Sequence, residues 1–343
     1  MTTKITSKLS IVSLVMAWSF SVPAFDAIPN QSGFSGYLLL GASFANTSSN
    51  MLAGTKTADL TYPTTDSLTS APASRDSVSA TVLGEARYTF AAQRTQLVAG
   101  QLFTDYVRYD VINSAGVRHE IESLGTMGVS YVFSGIAAKV WKDPYVVAAE
   151  RIETDRKQQG WRLSWERMFA TPVSLQYTLR AIEMDELSGK TQLALNEREA
   201  SLLDRNADLH ELRVWYEREV NERHRLTPEL IYDNNDANGQ AMAAERYGIK
   251  LTHTFVHEKF GLVLITSGSY THAEYNALNP IYNETRSDKR YGIDFTYLQF
   301  GLFKNYPSQL ALAANLYYFN EDANINFYDS RIYGVTLALL SRF

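Results

Sequence analysis

Apolar and polar residues alternate with a period of two along most of the chain. The clearest run covers residues 78–90, where Val78, Val82 and Tyr88 share one face and Thr81 and Glu85 share the other. Such alternation is typical of a β-strand with one apolar and one polar face. After the first 24 residues, no window of 18 apolar residues free of charge is present, so no spanning helix is expected. The pattern therefore predicts an all-β chain.

The alternation divides the chain into about 14 strands. Counts of about 12 and about 16 remain as alternatives, because residues 96–152 are difficult to divide into strands. The predicted strands cover residues 34–44, 78–90, 96–109, 119–133, 139–152, 160–166, 173–181, 209–220, 226–232, 246–257, 261–275, 290–303, 309–318 and 333–343. Long connections alternate with tight ones for most of the chain. This alternation is typical of a transmembrane barrel with short periplasmic turns and long extracellular loops.

The last predicted strand ends the chain on an aromatic residue. Tyr333, Val335 and Leu337 alternate with small or polar residues, and the strand finishes at Phe343. Outer-membrane β-barrels close on such a strand and carry the terminal aromatic residue as an assembly signal, so the segment resembles the ending of that class. The resemblance implies that Phe343 is the assembly signal. The alternative is an apolar edge strand of a soluble β-sandwich.

The first residues predict export from the cytoplasm. Lys4 and Lys8 precede an apolar run over residues 9–20, and small residues near Ala24 follow it. This is the arrangement of a secretory signal, and the apolar run is too short to span a membrane. We expect a signal peptide at residues 1–24 and a mature transmembrane β-barrel at residues 25–343.

Composition narrows the classes of protein that fit. Without the signal peptide the chain carries 30 basic and 37 acidic side chains, a formal charge of −7, which makes a nucleic-acid partner unlikely. The absence of cysteine excludes disulfides, thiolate catalysis and cysteine-zinc sites. The 21 Tyr, 16 Phe and 5 Trp suit the aromatic girdles of a membrane barrel. Since every backbone amide must be paired in hydrocarbon, a chain without spanning helices can cross only as a closed, single antiparallel β-barrel.

A short motif repeats at the start of three predicted strands. It is a tyrosine followed by a glycine, at Tyr247-Gly248, Tyr291-Gly292 and Tyr333-Gly334. We expect each tyrosine to face outward at the external aromatic girdle and each glycine to face inward.

The polar face of the strands predicts a charged lumen. A barrel of about 14 strands is wider than the eight-stranded kind that side chains alone fill, so it encloses water unless a loop folds inward. Seven basic and six acidic residues are expected to line it: Glu85, Arg87, Arg162, Glu166, Arg180, Glu211, Arg213, Glu217, Glu229, Arg246, Lys250, Arg290 and Asp294. These charges would orient small polar solutes, or would pair with one another to hold the wall rigid. Their balance indicates no ion preference.

The predicted external segments are acidic. They contain Asp233, Asp236, Glu321, Asp322 and Asp329. Divalent cations are expected to bridge such carboxylates to lipopolysaccharide, although a solvated rim explains them equally well.

One segment has the spacing of a calcium-binding loop. Asn234, Asp236, Asn238, Gly239 and Glu245 match the pattern D-x-[DN]-x-[DN]-G-x5-E at every position except the first. Asn-Gly is also an ordinary hairpin turn. Calcium is the sole cofactor that the sequence suggests. An ordinary hairpin turn is the simpler interpretation of the same residues.

The residues do not indicate catalysis. The chain lacks the G-x-S-x-G, H-E-x-x-H, G-x-G-x-x-G and phosphate-loop motifs. His253 and His257 lie on the outward face of one predicted strand, and with Glu258 they would form an acid–base or metal group or, more simply, pack at the membrane interface. Outer-membrane barrels that are enzymes, such as phospholipases, lipid A deacylases and omptin proteases, remain one alternative class. A structural or adhesion barrel is another, with the long loops at residues 45–77 and 185–206 meeting surfaces or filling the lumen.

From the signal peptide, the opening FDAIPNQSGFSGY and the terminal Phe343, the chain resembles an uncharacterised family of gammaproteobacterial outer-membrane proteins. This resemblance implies a Gram-negative outer-membrane location, with lipid, lipopolysaccharide and the barrel-assembly machinery as partners. The wider class of porin-like barrels implies passive diffusion of small polar solutes and no enzyme activity. The solute, the ion selectivity, the oligomeric state and the opening of the pore are not determined by the sequence.

Overall fold

The strands of the chain form one closed antiparallel barrel. The computed structural model describes residues 27–56, 58–105, 107–108, 110–302 and 309–343; the predicted signal peptide lies outside them. The strands are β1 (Gly33–Ser49), β2 (Leu52–Gly54), β3 (Ser74–Phe90), β4 (Thr95–Asp105), β5 (Asp110–Ile121), β6 (Gly125–Ile136), β7 (Ala138–Trp141), β8 (Glu153–Glu166), β9 (Val173–Glu183), β10 (Ala207–Tyr216), β11 (Arg218–Asn221), β12 (His224–Ala237), β13 (Ala244–His257), β14 (Leu262–Asn279), β15 (Glu284–Phe300), β16 (Leu310–Ala323) and β17 (Ser330–Arg342).

Fourteen of these strands make the wall, and β2, β7 and β11 are short additions to it. The barrel closes where β1 pairs with β17 through thirteen residue pairs, from Tyr37–Arg342 to Ser49–Ser330. The last residue continues this pairing, because the backbone N–H of Phe343 donates to the Gly36 carbonyl and the Gly36 N–H donates back. The predicted strand number is thus confirmed. In the described residues, no helix is both long and apolar enough to cross a membrane.

The two ends of the barrel differ. One end, here called the turn end, holds both chain termini of the barrel and short connections such as the 3-10 turns Ala91–Gln93 and Glu258–Phe260. The opposite loop end carries the long connections at residues 50–73, 142–152 and 184–206. The last of these contains the short helix α1 (Glu197–Ser201), which begins with a capping box formed by Asn196 and Glu199.

The alternation of the strands sorts side chains between the two surfaces of the wall. On β13, Tyr247, Ile249 and Leu251 are more than half exposed on the outer surface, whereas Arg246 and Lys250 between them are buried inside. The wall therefore has an apolar outside and a charged inside, as the period of two predicts.

The repeated tyrosine-glycine motif has the expected orientation. Tyr247, Tyr291 and Tyr333 are 57%, 44% and 41% exposed on the outer surface. Each following glycine faces inward against a side chain of a neighbouring strand, which is Thr271, Phe319 or Tyr317. A Cβ on Gly292 would stand 2.1 Å from the ring of Phe319, so the glycine makes room for that ring.

Residues 96–152 depart from the prediction, although the total count is right. The strand predicted at residues 119–133 is two strands, because the chain turns at residues 122–124 and re-enters at Gly125 with a positive φ of 99°. An added Cβ there would stand 2.3 Å from the Glu166 carbonyl oxygen. The strand predicted at residues 139–152 is wrong, since beyond β7 this segment is a loop. The two errors cancel.

Candidate functional site: the charged lumen

One hairpin leaves the wall and enters the lumen. Strand β4 pairs with β3 through six residue pairs that end at Glu85–Gly100, whereas β4 stays paired with β5 as far as Asp105–Asp110. Val107, at the tip of this hairpin, is buried and lines the interior cavity. The described residues of the hairpin tip, Val107, Arg108 and Asp110, therefore form an inward constriction. The sequence suggested inward folding for the two long loops and missed this short one.

A buried ion pair attaches the hairpin to β8, which β6 separates from β5 in the wall. Arg156 of β8 donates to the Asp110 carboxylate at 2.5 Å, and both side chains are less than 10% exposed. A buried pair of this kind costs about 3–5 kcal/mol when one partner is removed, because the other charge is left uncompensated. The pair therefore fixes the position of the constriction.

Arginines and carboxylates form a chain of ion pairs on β9, β10 and β12. Arg213 lies 3.0 Å from Glu211 and 3.0 Å from Glu229, and Arg180 lies 3.6 Å from Glu211. All of these side chains are at most 12% exposed. Each charge thus has a partner, which is the condition for retaining charges in a desolvated interior.

A second group of ion pairs centres on Glu321 of β16. Its carboxylate accepts from Arg290 through Nε at 2.7 Å, from Arg286 at 3.3 Å and from Arg246 at 3.5 Å. Arg286 also binds Asp288 at 2.7 Å. Three guanidinium groups therefore converge on one carboxylate, so this side of the lumen is rich in positive charge.

The two groups face a common cavity of about 240 Å³. Nine basic and five acidic side chains line it: Arg108, Arg156, Arg180, Arg205, Arg213, Arg246, Lys250, Arg286 and Arg290 with Asp110, Glu211, Asp233, Asp294 and Glu321. Unlike the balanced set expected from the sequence, the set that lines the cavity surface has more basic than acidic members, while Glu186, Glu229 and Asp288 pair with Arg205, Arg213 and Arg286 from just outside it. We call this space the arginine chamber.

An apolar cluster covers the chamber at the loop end. Its buried residues are Tyr145, Ile182, Leu203, Ala207, Leu209, Ala237, Ala241, Met242, Ala243, Ala323, Ile325, Phe327 and Tyr328. Together with the partly buried residues packed on it, the cluster takes residues from six of the seven loop-end connections in the described part of the chain; the seventh is the inward hairpin. We call it the loop dome. It packs these connections against one another at the loop end of the barrel.

Specific polar contacts hold the dome together. Arg151 donates to the carbonyl oxygens of Asn50 at 3.1 Å, Tyr62 at 2.7 Å and Pro63 at 3.2 Å, and its guanidinium stacks 4.4 Å from the ring centre of Trp141. Burial lowers the pKa of Arg151 to about 10, so the side chain is still charged at neutral pH. Arg151 thus links the long connection at residues 142–152 to the one at residues 50–73.

A buried tyrosine pair joins the connection at residues 142–152 to the one between β16 and β17 and to the end of β14. The hydroxyl groups of Tyr145 and Tyr328 lie 2.7 Å apart, and the Asn279 side-chain amide donates to Tyr328 at 2.7 Å. Burial raises the pKa of both tyrosines above the ordinary value of 10.0. The pair is therefore neutral at physiological pH, as its hydrogen bonds require.

On the side formed by β1, β3 and β13–β17, the inner surface nearer the turn end is apolar. Its buried residues are Tyr37, Leu39, Leu83, Val256, Val263, Ile265, Leu298, Phe300, Ala311, Ala313, Ala338 and Leu340, and Val111 of β5 packs against them. We call this surface the inner apolar wall. A layer of hydroxyl and amide side chains separates it from the arginine chamber, including Ser43, which lies 2.6 Å from Thr81 and from Thr336.

The structure places the thirteen predicted lumen residues at different heights along the barrel axis. Seven of them line the arginine chamber: Arg180, Glu211, Arg213, Arg246, Lys250, Arg290 and Asp294. Glu229 binds Arg213, and Glu166 binds Arg118 at 2.6 Å. Near the turn end, Arg87 binds Glu85 at 2.5 Å, Arg162 donates to Thr178, and half-buried Glu217 lies 3.8 Å from Arg225.

Several chamber residues were not predicted. Asp233 and Glu321 were expected on the external rim, and this expectation is wrong, since both line the cavity. Their strands continue further than expected. Asp233 lies on the same inward face of β12 as Glu229. The same parity argument, extended along β8 from Arg162, would have found Arg156. No signal in the sequence indicates Arg108, because its position depends on the hairpin leaving the wall. Of the other rim residues, Asp236 and Asp322 are exposed and Asp329 is half-buried.

The segment with calcium-loop spacing is a hairpin. Asn234 and Asp236 lie in β12, and Glu245 in β13 stands opposite Asn234, where it accepts a hydrogen bond from Tyr247. Asn238 donates to Asp204 at 3.4 Å. Among the described residues, no group of three or more His, Asp or Glu side chains is placed to hold a metal ion.

The histidines near the turn end face outward. His253 stacks on His224 with ring centres 5.2 Å apart and a 2.9 Å contact between ring nitrogens, and His257 packs against Phe260. These rings contact one another and aromatic neighbours, so they form packing contacts on the outer surface.

Fold and site together define a β-barrel with an apolar exterior, a charged interior and loop-end connections packed in an apolar cluster. The chain belongs to a family described as a protein of unknown function, DUF2860, whose match covers residues 33–340. No protein with curated annotation matches the chain.

Solved structures similar to this chain include outer-membrane channels. The anion-selective porin from Comamonas acidovorans is 8% identical with a TM-score of 0.40, covering 91% of this chain and 100% of its own. The channel DcaP of Acinetobacter baumannii is 10% identical with a TM-score of 0.42, covering 91% and 97%. OpdL of Pseudomonas aeruginosa is 12% identical with a TM-score of 0.36, covering 90% and 98%. Because these TM-scores are below 0.5, the fold is taken from the strand pairing itself.

Proposed function

We propose that this protein is a porin-like channel of a Gram-negative outer membrane that admits small polar solutes and prefers anions. The observation that carries the proposal is the arginine chamber, in which nine basic side chains face five acidic ones inside an apolar-sided barrel. An enclosed excess of positive charge raises the local concentration of anions. Export by a signal peptide at residues 1–24 and assembly through Phe343 belong to the same proposal.

Current through single channels tests the preference for anions. In planar bilayers with a KCl gradient, the reversal potential should lie closer to the equilibrium potential of chloride than to that of potassium. Arg108→Gln and Lys250→Gln each remove one positive charge from the chamber and should lower the chloride-to-potassium permeability ratio, by about twofold or more. Lys289→Gln, which removes an exposed charge from β15 outside the lumen, should leave the ratio unchanged. A cation-selective pore would contradict the proposal.

A barrel that stays closed is the second candidate, and the loop dome is the observation that favours it. The dome joins six connections through an apolar cluster, so its opening would expose that cluster. The absence of any conductance, even in variants that loosen the dome, would favour a structural barrel. Turnover of lipid or peptide by the purified protein would instead indicate an enzyme.

Location and processing are tested directly. The mature protein should begin at Phe25, fractionate with the outer membrane and migrate differently on gels before and after heating. Deletion of Phe343 should reduce the amount of heat-modifiable barrel, whereas Ser341→Ala should not. Lipopolysaccharide bridged by divalent cations is expected at the exposed Asp236 and Asp322, and chelation should weaken that contact.

A further inference from the structure

Lys250 of β13 differs from the other cations that line the arginine chamber. Seven of the eight lining arginines lie within 4.0 Å of a carboxylate oxygen. Lys250 is only 6% exposed, yet within the described part of the chain it makes neither an ion pair nor a hydrogen bond. A buried ammonium group without a partner is costly to retain. An anionic group supplied by a solute would satisfy it.

A carboxylate without a cation partner lies on the same side of the chamber. Asp294 of β15 is 6% exposed and lines the cavity; in the described residues it has no ion pair, and its Oδ2 has no hydrogen-bond partner. Strand β14 runs between the two charges, with Ser269 opposite Lys250 and Ser267 opposite Asp294. Since neighbouring strands are about 4.8 Å apart, the backbones of β13 and β15 are about 10 Å apart. The two charged groups therefore face the same cavity without neutralising each other.

Hydroxyl groups lie between these two charges. Thr271 of β14 is 8% exposed and lines the cavity, and its Oγ1 has no hydrogen-bond partner. Ser269, on the same strand, is half-buried and also lines the cavity. We call Lys250, Ser269, Thr271 and Asp294 the open patch. It spans three strands, so one small inorganic ion does not reach all of it.

The open patch requires both acceptors and donors from a solute. A lysine ammonium group only donates hydrogen bonds and an ionised aspartate only accepts them. A carboxylate on the solute pairs with Lys250, whereas Asp294 requires a donor. A hydroxyl group donates and accepts, so it suits Asp294 and Thr271 alike. An amino acid would offer an ammonium group to Asp294, but it is neutral overall and is not concentrated by a lining with more basic than acidic residues.

The size and the remaining lining of the cavity agree with a hydroxylated acid. At about 15 Å³ for each water, the cavity of about 240 Å³ holds about 16 waters, and a six-carbon sugar acid has a similar number of non-hydrogen atoms. The ring of Phe319 lies against Gly292, two residues from Asp294 on β15, and also lines the cavity. It gives an apolar surface beside the polar groups, and a pyranose likewise has apolar C–H faces and a polar edge.

We propose that the open patch binds sugar acids with one carboxylate, of the hexuronate class. The carboxylate of the solute pairs with Lys250, and its hydroxyl groups bind Asp294 and Thr271. The proposal rests on the proposed channel function and names the solute class that the arginine chamber selects.

Binding measurements test the solute class. In calorimetric titrations of the full chain in nanodiscs, corrected with empty nanodiscs, D-glucuronate should bind at least about tenfold more tightly than D-glucose, which lacks the carboxylate. It should exceed hexanoate, which lacks the hydroxyl groups, by a similar factor. Equal affinities for the three solutes, or tighter binding of alanine, would overturn the proposal. Absence of binding by all of them would also overturn it, because the patch would then hold water only.

Two variants separate the roles of the charged residues. Lys250→Gln should weaken glucuronate and hexanoate by about tenfold or more and leave glucose within about twofold. Asp294→Asn should weaken glucuronate and glucose by about tenfold and leave hexanoate within about twofold. Both variants should still form a heat-modifiable barrel, because neither side chain has an ion pair to lose. Equal weakening of all three solutes in either variant would show a general disturbance of the wall and would contradict the assigned roles.

Matched controls remove charges that lie outside the lumen. Lys289→Gln and Asp208→Asn change one exposed lysine and one exposed aspartate. Neither variant should alter the affinity for glucuronate, glucose or hexanoate by more than about twofold. An effect as large as that of Lys250→Gln would indicate that the overall charge of the protein, and not the open patch, determines the affinity.

The outcomes also separate this inference from the channel itself. An anion-selective pore that binds glucuronate no better than glucose and hexanoate would overturn the sugar-acid site and leave the proposed function supported. A barrel without anion conductance would contradict the proposed function. In that barrel, the binding preference and its opposite responses to Lys250→Gln and Asp294→Asn would still support the site.

Discussion

The guanidinium of Arg156 donates to the Asp110 carboxylate at 2.5 Å, and this buried contact holds the inward hairpin against β8. Arg156, Asp110 and the neighbouring Val107 and Arg108 all line the arginine chamber, so the contact also holds the hairpin at the cavity surface.

Arg156→Gln should release the hairpin. Removal of the guanidinium leaves Asp110 buried without its charge partner, which costs about 3–5 kcal/mol of the free energy of unfolding unless the hairpin moves out of the lumen. We expect a lower midpoint of urea unfolding in lipid vesicles and a larger, noisier unitary conductance. Asp185→Asn, which breaks a contact between Lys142 and an exposed carboxylate, is the control and should change neither quantity. Unchanged conductance in Arg156→Gln would show that the hairpin is not the constriction.

Arg151→Ala should open the loop dome. The variant leaves the carbonyl groups of Asn50, Tyr62 and Pro63 without their buried donor and removes the stacking on Trp141. The cost is about 2 kcal/mol or more, on the scale of hydrogen bonds to a charged group. We expect faster protease cleavage within residues 50–73 and a higher open probability in bilayers. Lys56→Ala is the control, because Lys56 is an exposed residue of the same connection; equal cleavage rates in the two variants would contradict this role for Arg151.

Alkaline pH should also open the dome. Burial raises the folded-state pKa of Tyr145 and Tyr328 above 10.0, so their contribution to stability is complete below pH 10 and is lost as the pH rises through the folded values. Conductance should increase above about pH 10. Ultraviolet absorbance should show that the two buried tyrosines ionise at a higher pH than exposed tyrosines. Tyr328→Phe removes the contacts with Tyr145 and Asn279 and should raise conductance already at neutral pH, whereas Tyr62→Phe, at a tyrosine that is 48% exposed, should not. Ionisation of every tyrosine at the ordinary pKa would argue against the buried pair.

Gly292→Ala should destabilise the barrel, because the added Cβ would stand 2.1 Å from the Phe319 ring. Overpacking of this kind costs about 1–3 kcal/mol. Urea unfolding should show the loss, and the double variant Gly292→Ala with Phe319→Leu should recover part of it. Gly268→Ala, at an outward glycine with no heavy atom within 4 Å of the added Cβ, should be neutral or slightly stabilising. Additive losses in the double variant would show that the ring is not the cause.

Most of the wall could be predicted from sequence because one periodicity decides both pairing and orientation. Where strands have unlike faces, as in β3 and β13, a shift by one residue would turn every apolar side chain inward, so the pattern fixes the register. The thirteen predicted lumen residues follow from this rule. Residues 96–152 were harder to divide, since β5 and β6 contain small residues on both faces and the turn between them is marked by little more than Gly125.

The chamber could be predicted only in part, because its form depends on contacts between segments far apart in sequence. Arg108 reaches the cavity through the departure of β4 from β3, and the loop dome depends on packing among six connections whose sequences have no period. Asp233 and Glu321 were misplaced for a simpler reason: their strands extend further into polar sequence than hydrophobic alternation indicates.

The junction of β1 with β17 has a consequence for biogenesis. Since almost the entire polypeptide separates these two edges, a nascent or truncated product lacking its end would present a long unsatisfied edge to proteases and to other chains. Translation must therefore finish before the barrel can close. Pairing of β1 with β17 then distinguishes a complete chain from a truncated one.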